Sequence, residues 1–208
     1  MSGQASLSAM VSPEQRKHFY NRAAFGIQLP SDKFFKPADI LKTGISENRL
    51  SVIAEPERDY EGRPNEAEVK VAVKKNKEGQ IKLNTAWFAQ LTNPQAVFRE
   101  KMTLFWHDHF ACRVRNAYLG QQQINTIRTH ALGKFGDLLM AVSKDPGMLQ
   151  FLNNQQNKKD SPNENFAREV MELFTLGRGN YSEQDIKNAA RAFTGWAFNP
   201  LTGEFLFR

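Results

Sequence analysis

A single cysteine, Cys112, stands in 208 residues, which excludes an internal disulfide and fits a reducing compartment. Long apolar runs are missing as well. The longest, Leu138 to Val142, is five residues, against the roughly 20 that a helix needs to cross a bilayer, so no transmembrane helix is expected. The N-terminal region carries no apolar stretch of about 7–15 residues behind a basic start. No secretory signal is visible, and the chain as it stands is expected in the cytoplasm. The sequence also lacks a Gly-x-Ser-x-Gly elbow, a Cys-x-x-Cys pair, a Walker loop and the Glu-x-x-His pairs of helical di-iron proteins.

What is present suffices for a core. Hydrophobic residues make up 40% and aromatic residues 11%, with 16 Phe, enough apolar material to offset the entropy of ordering a folded chain. The net charge is +6, from 28 Lys and Arg against 22 Asp and Glu, which raises nucleic acid as a partner. The pattern argues against it. The densest basic group, Lys70, Lys74, Lys75, Lys77 and Lys82, is interrupted by Glu78 and preceded by Glu66 and Glu68, the pattern of a solvated helix face.

Helix signals dominate the chain. Ser12-Pro13-Glu14-Gln15 is capping-box chemistry and opens a helix over 13–24. A short helix over 37–42 is expected, then an exposed loop over 45–65, where Pro56, Gly62 and Pro64 lie among many charges. Residues 66–76 fit either a helix or an alternating strand through Val69, Val71 and Val73. Helices follow over 83–91, 94–110 (capped at Asn93-Pro94), 118–132, 135–143 and 147–152. After a polar loop over 153–162, Pro162 opens a helix to Leu176, and Ser182 caps another to about 194. Trp196 to Phe207, centred on Asn199-Pro200-Leu201-Thr202-Gly203, reads as a β-hairpin. The expectation is therefore a mainly α, multi-helical single domain over 1–208 with a C-terminal hairpin. The end at Phe207-Arg208, without a polar tail, suggests that the sequence continues in the intact gene product.

Three stretches are distinctive: Phe-Trp-His-Asp-His-Phe at 105–110, Asn163-Glu164-Asn165-Phe166-Ala167-Arg168-Glu169-Val170-Met171-Glu172-Leu173-Phe174-Thr175-Leu176-Gly177, and Ala189-Ala190-Arg191-Ala192-Phe193-Thr194-Gly195-Trp196. With Asn21 to Gly26, Gln122 to Leu132 and Ser143 to Pro146, they resemble the bacterial family called domain of unknown function 1800 over nearly the whole chain. The resemblance implies a longer family domain, of which these residues form the N-terminal part. It also implies genes that often neighbour those of a sulfatase-like family, and many exported members, so a periplasmic location stands beside the cytoplasmic one.

The candidate site residues come from helix geometry. At about 100° per residue, His107 and His109 diverge by about 160° on a regular helix and cannot both face one metal ion. His109 falls inside the apolar stripe, as a hydrogen-bonded core residue or as a ligand or acid–base group. His107 falls on the other side, exposed or paired with Glu100. On the helix from 163, Glu164, Arg168 and Glu172 form an i, i+4, i+8 ladder typical of solvated ion pairs. Glu169 sits between Leu173 and Leu176, where a carboxylate is partly desolvated and needs either a raised pKa or a partner such as Arg191. His130 closes the helix over 118–132, where the helix dipole favours it. Cys112 lies beside Arg113 and Arg115, which would lower its pKa.

Two functions follow as expectations. In the first, a divalent metal is held by His109, His130 and Glu169 in a hydrolase-like enzyme acting on a saccharide or cell-envelope substrate. There Glu169 acts as base or ligand, His109 as ligand or acid–base group, and Arg168 or Arg191 holds an anion. In the second, the chain is a non-catalytic accessory or binding protein working with a sulfatase-like partner.

Overall fold

In a computed structural model, residues 12–26, 49–55, 64–92 and 96–208 are described. The helix expected over 37–42 and the cap at Asn93-Pro94 lie outside the described residues.

The first helix, α1 (Pro13–Ala23), starts as its local chemistry dictates. Ser12 Oγ accepts from the Gln15 amide at 3.2 Å, and Gln15 Oε1 accepts from the Ser12 amide at 2.9 Å, so two otherwise orphaned donors are satisfied. Residues 66–91, left open between helix and strand in their first half, form one uninterrupted helix of 26 residues, α2 (Glu66–Leu91). Its continuity comes from tertiary contacts. Asn76 Nδ2 and Gln80 Nε2 both donate to the Arg115 carbonyl, at 2.7 and 2.5 Å, and Asn76 Oδ1 accepts from the Ala117 amide at 2.9 Å. A Cβ at Gly79 would stand 3.1 Å from Ala117 Cβ, so glycine permits this close crossing. The alternating valines Val69, Val71 and Val73 are exposed on the helix rather than buried on a strand face.

Next come α3 (Val97–His109), α4 (Ala117–His130), α5 (Phe135–Ser143) and α6 (Pro146–Phe151), each within a few residues of the expected helices. A 3-10 turn at Asn154–Gln156 leads to α7 (Asn165–Glu169), which continues without a break into a π-helical turn, Val170–Thr175. Finally α8 (Glu183–Ala192) is capped by Ser182, and β1 (Trp196–Phe198) pairs antiparallel with β2 (Phe205–Phe207), placing Ala197 opposite Leu206. Gly203 makes the hairpin turn with φ +71° and packs against Gln122 and Leu119 of α4.

The main core gathers around α4. Leu119 and Ile127 meet Phe110, Leu138, Val142, Met148, Leu149, Leu152, Phe166, Phe174 and Phe198. The opposite face of α4 is polar and buried. Arg128 Nε and Nη2 grip both oxygens of Glu100 at 2.6 and 2.9 Å, with Nη1 on Asn125 Oδ1 and a further bond to Gln90 Oε1. The two side chains are 1% and 0% exposed.

Asn125 and Gln121, one helical turn apart on α4, act as backbone surrogates for residues 50–53. Asn125 exchanges two hydrogen bonds with the Leu50 backbone, both 2.9 Å. Gln121 Oε1 accepts from the Val52 and Ile53 amides, and its Nε2 donates to the Ile53 carbonyl. Within the stretch expected to be an exposed loop over 45–65, Leu50 is therefore buried. The pairing expected for His107 is also corrected. Glu100 is committed to Arg128, and the half-buried His107 ring lies edge-on to Trp87, centroids 5.0 Å apart.

Candidate functional site

The three distinctive sequence stretches meet through aromatic side chains. Phe110 at the end of α3 lies against Phe174 of the π turn at 5.4 Å. Phe166 of α7 meets Phe193 at 5.0 Å, and Phe193 meets Trp196 at 5.1 Å. The polar residues expected to act together are dispersed around this spine.

His109 is half-buried, its ring ringed by Trp106, Phe110, Phe135 and Phe174. Its Nε2 lies 3.0 Å from the Phe174 carbonyl oxygen. A carbonyl only accepts, so Nε2 carries the proton and donates. That carbonyl belongs to the last turn of its helix, where no intrahelical amide remains to satisfy it, and His109 serves as its cap. His130 ends α4, half-buried, and Glu169 ends α7, also half-buried. Among the described residues, no three His, Cys, Asp or Glu side chains are grouped to hold a metal ion. The His109, His130 and Glu169 side chains expected to share a metal are therefore not grouped in this arrangement.

Glu169 is half-buried, but the apolar walls expected beside it, Leu173 and Leu176, are 59% and 48% exposed. The cause is the π turn. A wheel drawn at 100° per residue assumes i to i+4 bonding, and beyond Val170 the ladder changes to i to i+5, turning the following side chains away from their projected directions.

Arg168 does not hold a free anion site. Its guanidinium grips both oxygens of Glu183 at 2.9 and 2.8 Å and also reaches Glu164 at 3.1 Å, clamping α7 to the start of α8. The bond to Glu183, more than any other influence, raises its pKa further. The expected ladder breaks after it, since Glu172 instead accepts from Tyr181 Oη at 2.6 Å and Arg178 Nε at 2.5 Å. The Tyr181 bond, followed by that of Arg178, lowers the Glu172 pKa.

Arg191 is different. It is exposed near the end of α8 and lines a cavity of about 610 Å³ with Lys159, Asp160, Asn188, Ala192 and Thr194. Neither Lys159 nor Arg191 makes an ion pair or a side-chain hydrogen bond with the described residues.

The cavity is shaped by asparagines. Backbone bonds in both directions between Lys158 and Ser161 put Lys159 and Asp160 at the tip of a tight turn. Buried Asn157 fixes that turn to α8, its Nδ2 donating to the Ala190 carbonyl at 2.8 Å while its Oδ1 accepts from the Asn163 amide at 2.9 Å. Buried Asn154 donates to the Phe193 and Trp196 carbonyls at 3.2 and 3.1 Å. Lys159, Asp160, Asn188 and Thr194 were not among the expected site residues. The signal available for them was the density of asparagine and glutamine over 153–157, more than a solvated loop needs.

A second missed residue is Asp145, the N-cap of α6, 3% exposed. Its Oδ1 accepts from the Met148 amide and from Gln123 Nε2, both at 3.2 Å, while Oδ2 has no partner. Desolvation outweighs these bonds and pushes its pKa up to about 7. Nearby Cys112 is affected likewise. Burial pushes the thiol up to about 11, against a smaller opposing bond from Gln123, so the lowering expected from Arg113 and Arg115 is overturned.

Comparison with known proteins adds one relationship. The family described as "Protein of unknown function (DUF1800)" matches residues 18–208. No curated protein and no solved structure matches the chain.

Proposed function

Because the chain belongs to the DUF1800 family, a membership that carries no reaction with it, we propose a function from the cavity: it is a non-catalytic binding protein for a small anionic ligand. One observation carries the reading. Two cations with unspent donors, Lys159 and Arg191, line one cavity of about 610 Å³ that opens widely to solvent. A guanidinium presents a planar fork of donors that matches carboxylate, sulfate and phosphate oxygens. The backbone of the walls is held by buried asparagines, so the ordering cost left for the moment of binding is that of the Lys159 and Arg191 side chains.

A hydrolase built on His109 and Glu169 would need both in one cavity with their reactive atoms available. His109 spends Nε2 on a helix end instead, and the binding reading asks nothing of either residue. An accessory role beside a sulfatase-like protein is compatible with it and makes sulfate the first ion to test.

Titration calorimetry of the 208-residue chain with sodium sulfate and sodium phosphate, against sodium chloride at equal ionic strength, is the test. Saturable binding abolished in Arg191→Ala and weakened in Lys159→Ala supports the reading. Binding that is absent, or indifferent to both substitutions, overturns it.

A further inference from the structure

The cavity holds more than positive charge, and its donors and acceptors can be counted. Thr194 Oγ1 donates its one hydrogen to the Arg191 carbonyl at 2.9 Å, so toward the cavity it offers only lone pairs. Asn188 Oδ1 accepts from Gln184 Nε2 at 3.0 Å, which leaves its amide NH₂ to donate. Asp160 brings a carboxylate, an acceptor and a negative charge, to the same lining as Lys159 and Arg191. The formal charge of the lining is therefore +1, with acceptors at Asp160 and Thr194 and donors at Lys159, Asn188 and Arg191.

A bare oxyanion answers only half of this inventory. Sulfate and phosphate ester oxygens accept but do not donate, so they would leave Asp160 and Thr194 unanswered and place like charge beside the Asp160 carboxylate, which costs affinity. A neutral sugar leaves the two cations unanswered. We infer that the ligand is a monoanionic polyol of the sugar-acid class, its carboxylate on Arg191 and Lys159 and its hydroxyls donating to Asp160 and Thr194. This rests on the binding reading above and adds to it the class of ligand. A hydroxyl donating to a carboxylate is a charge-assisted bond, stronger than a neutral pair, which makes Asp160 the residue that separates a sugar acid from an inorganic anion.

The experiment compares sodium glucuronate, glucose and sodium sulfate as ligands of the whole chain by calorimetry, in the unaltered protein and in Asp160→Asn and Arg191→Ala. All the altered side chains are exposed, and circular dichroism verifies folding. The expected result is glucuronate binding at least about tenfold tighter than either sulfate or glucose. Asp160→Asn should weaken glucuronate by about tenfold while leaving sulfate unchanged or tighter, and Arg191→Ala should abolish both. If glucuronate binds no tighter than sulfate, or Asp160→Asn leaves glucuronate unaffected, the sugar-acid inference falls and the anion-binding reading stands. If glucose binds as tightly as glucuronate, the inference also falls. If no ligand binds, both fall.

Discussion

His109 Nε2 stands 3.0 Å from the carbonyl oxygen of Phe174, so the histidine of the distinctive 105–110 stretch closes the helix of the 163–177 stretch across a sequence distance of 65 residues. The two segments form one structural joint, a polar cap among aromatic rings.

His109→Ala removes that cap and leaves a part-buried carbonyl without its donor. The expected loss is about 1–3 kcal/mol of unfolding free energy, measured by urea denaturation. His109→Gln, which still offers an N–H, should recover part of it. Full stability in the alanine variant would show the cap to be idle.

Glu100 and Arg128 form a buried ion pair, and breaking such a pair strands a charge in the interior. Glu100→Ala is expected to cost about 3–5 kcal/mol, read as a lower urea midpoint. Among single substitutions on α3 this should be one of the most damaging, well beyond removal of the surface pair between Lys70 and Glu66, which is worth about 0–1 kcal/mol.

Asp145 predicts a pH dependence of definite sign. Its carboxyl titrates at about 7 in the folded chain against an ordinary value of 3.8, so between these values the native state holds a proton that the unfolded chain has released. The stability it contributes is full below pH 3.8 and is lost as pH rises through about 7, a span on the order of 4 kcal/mol at most. Asp145→Asn keeps an oxygen to accept from Met148 and Gln123 and removes the titration. It should exceed the unaltered chain in stability at about pH 8 and lose the advantage toward about pH 4. Parallel stability profiles for the two proteins between those limits would refute the assignment.

Gly195 lies where α8 gives way to the hairpin, at φ +83°. A Cβ there would stand 2.5 Å from the Arg208 carbonyl oxygen and 3.3 Å from the Phe207 ring. Gly195→Ala is expected to lower stability by about 1–3 kcal/mol. A fall in melting temperature by calorimetry checks it, and an unchanged value would show that the hairpin yields at no cost.

Features decided by near neighbours were legible in the sequence. Ser12 with Gln15, Ser182 with Asp185 and the turn at Asn199–Gly203 each carry their own instructions within a few residues, and each forms as expected. Features decided at a distance were not. The unity of α2 depends on Arg115 and Ala117, Glu100 finds Arg128, and Leu50 finds Asn125 across 75 positions. At the candidate site, Arg191 was legible as one of two arginines expected to hold an anion. Lys159 and Asp160 were not, because their turn is positioned only when Asn157 reaches α8. The apolar walls expected beside Glu169, Leu173 and Leu176, were misplaced for a different reason: periodicity assumes one helix type, and nothing in Val170–Thr175 announces i to i+5 bonding.

Asn157 ties three parts of the fold together. Its Nδ2 is shared between the Ala190 carbonyl and Asn154 Oδ1, its Oδ1 holds the Asn163 amide, and its own carbonyl receives the Gly195 amide. One side chain and one peptide group thereby join the polar loop, α8 and the hairpin. The amides of Asn163 and Gly195 are therefore expected to exchange their hydrogens with solvent through a shared sub-global opening rather than through separate local fluctuations. On that account the two walls of the cavity are expected to come apart together, so that the cavity is lost as a unit.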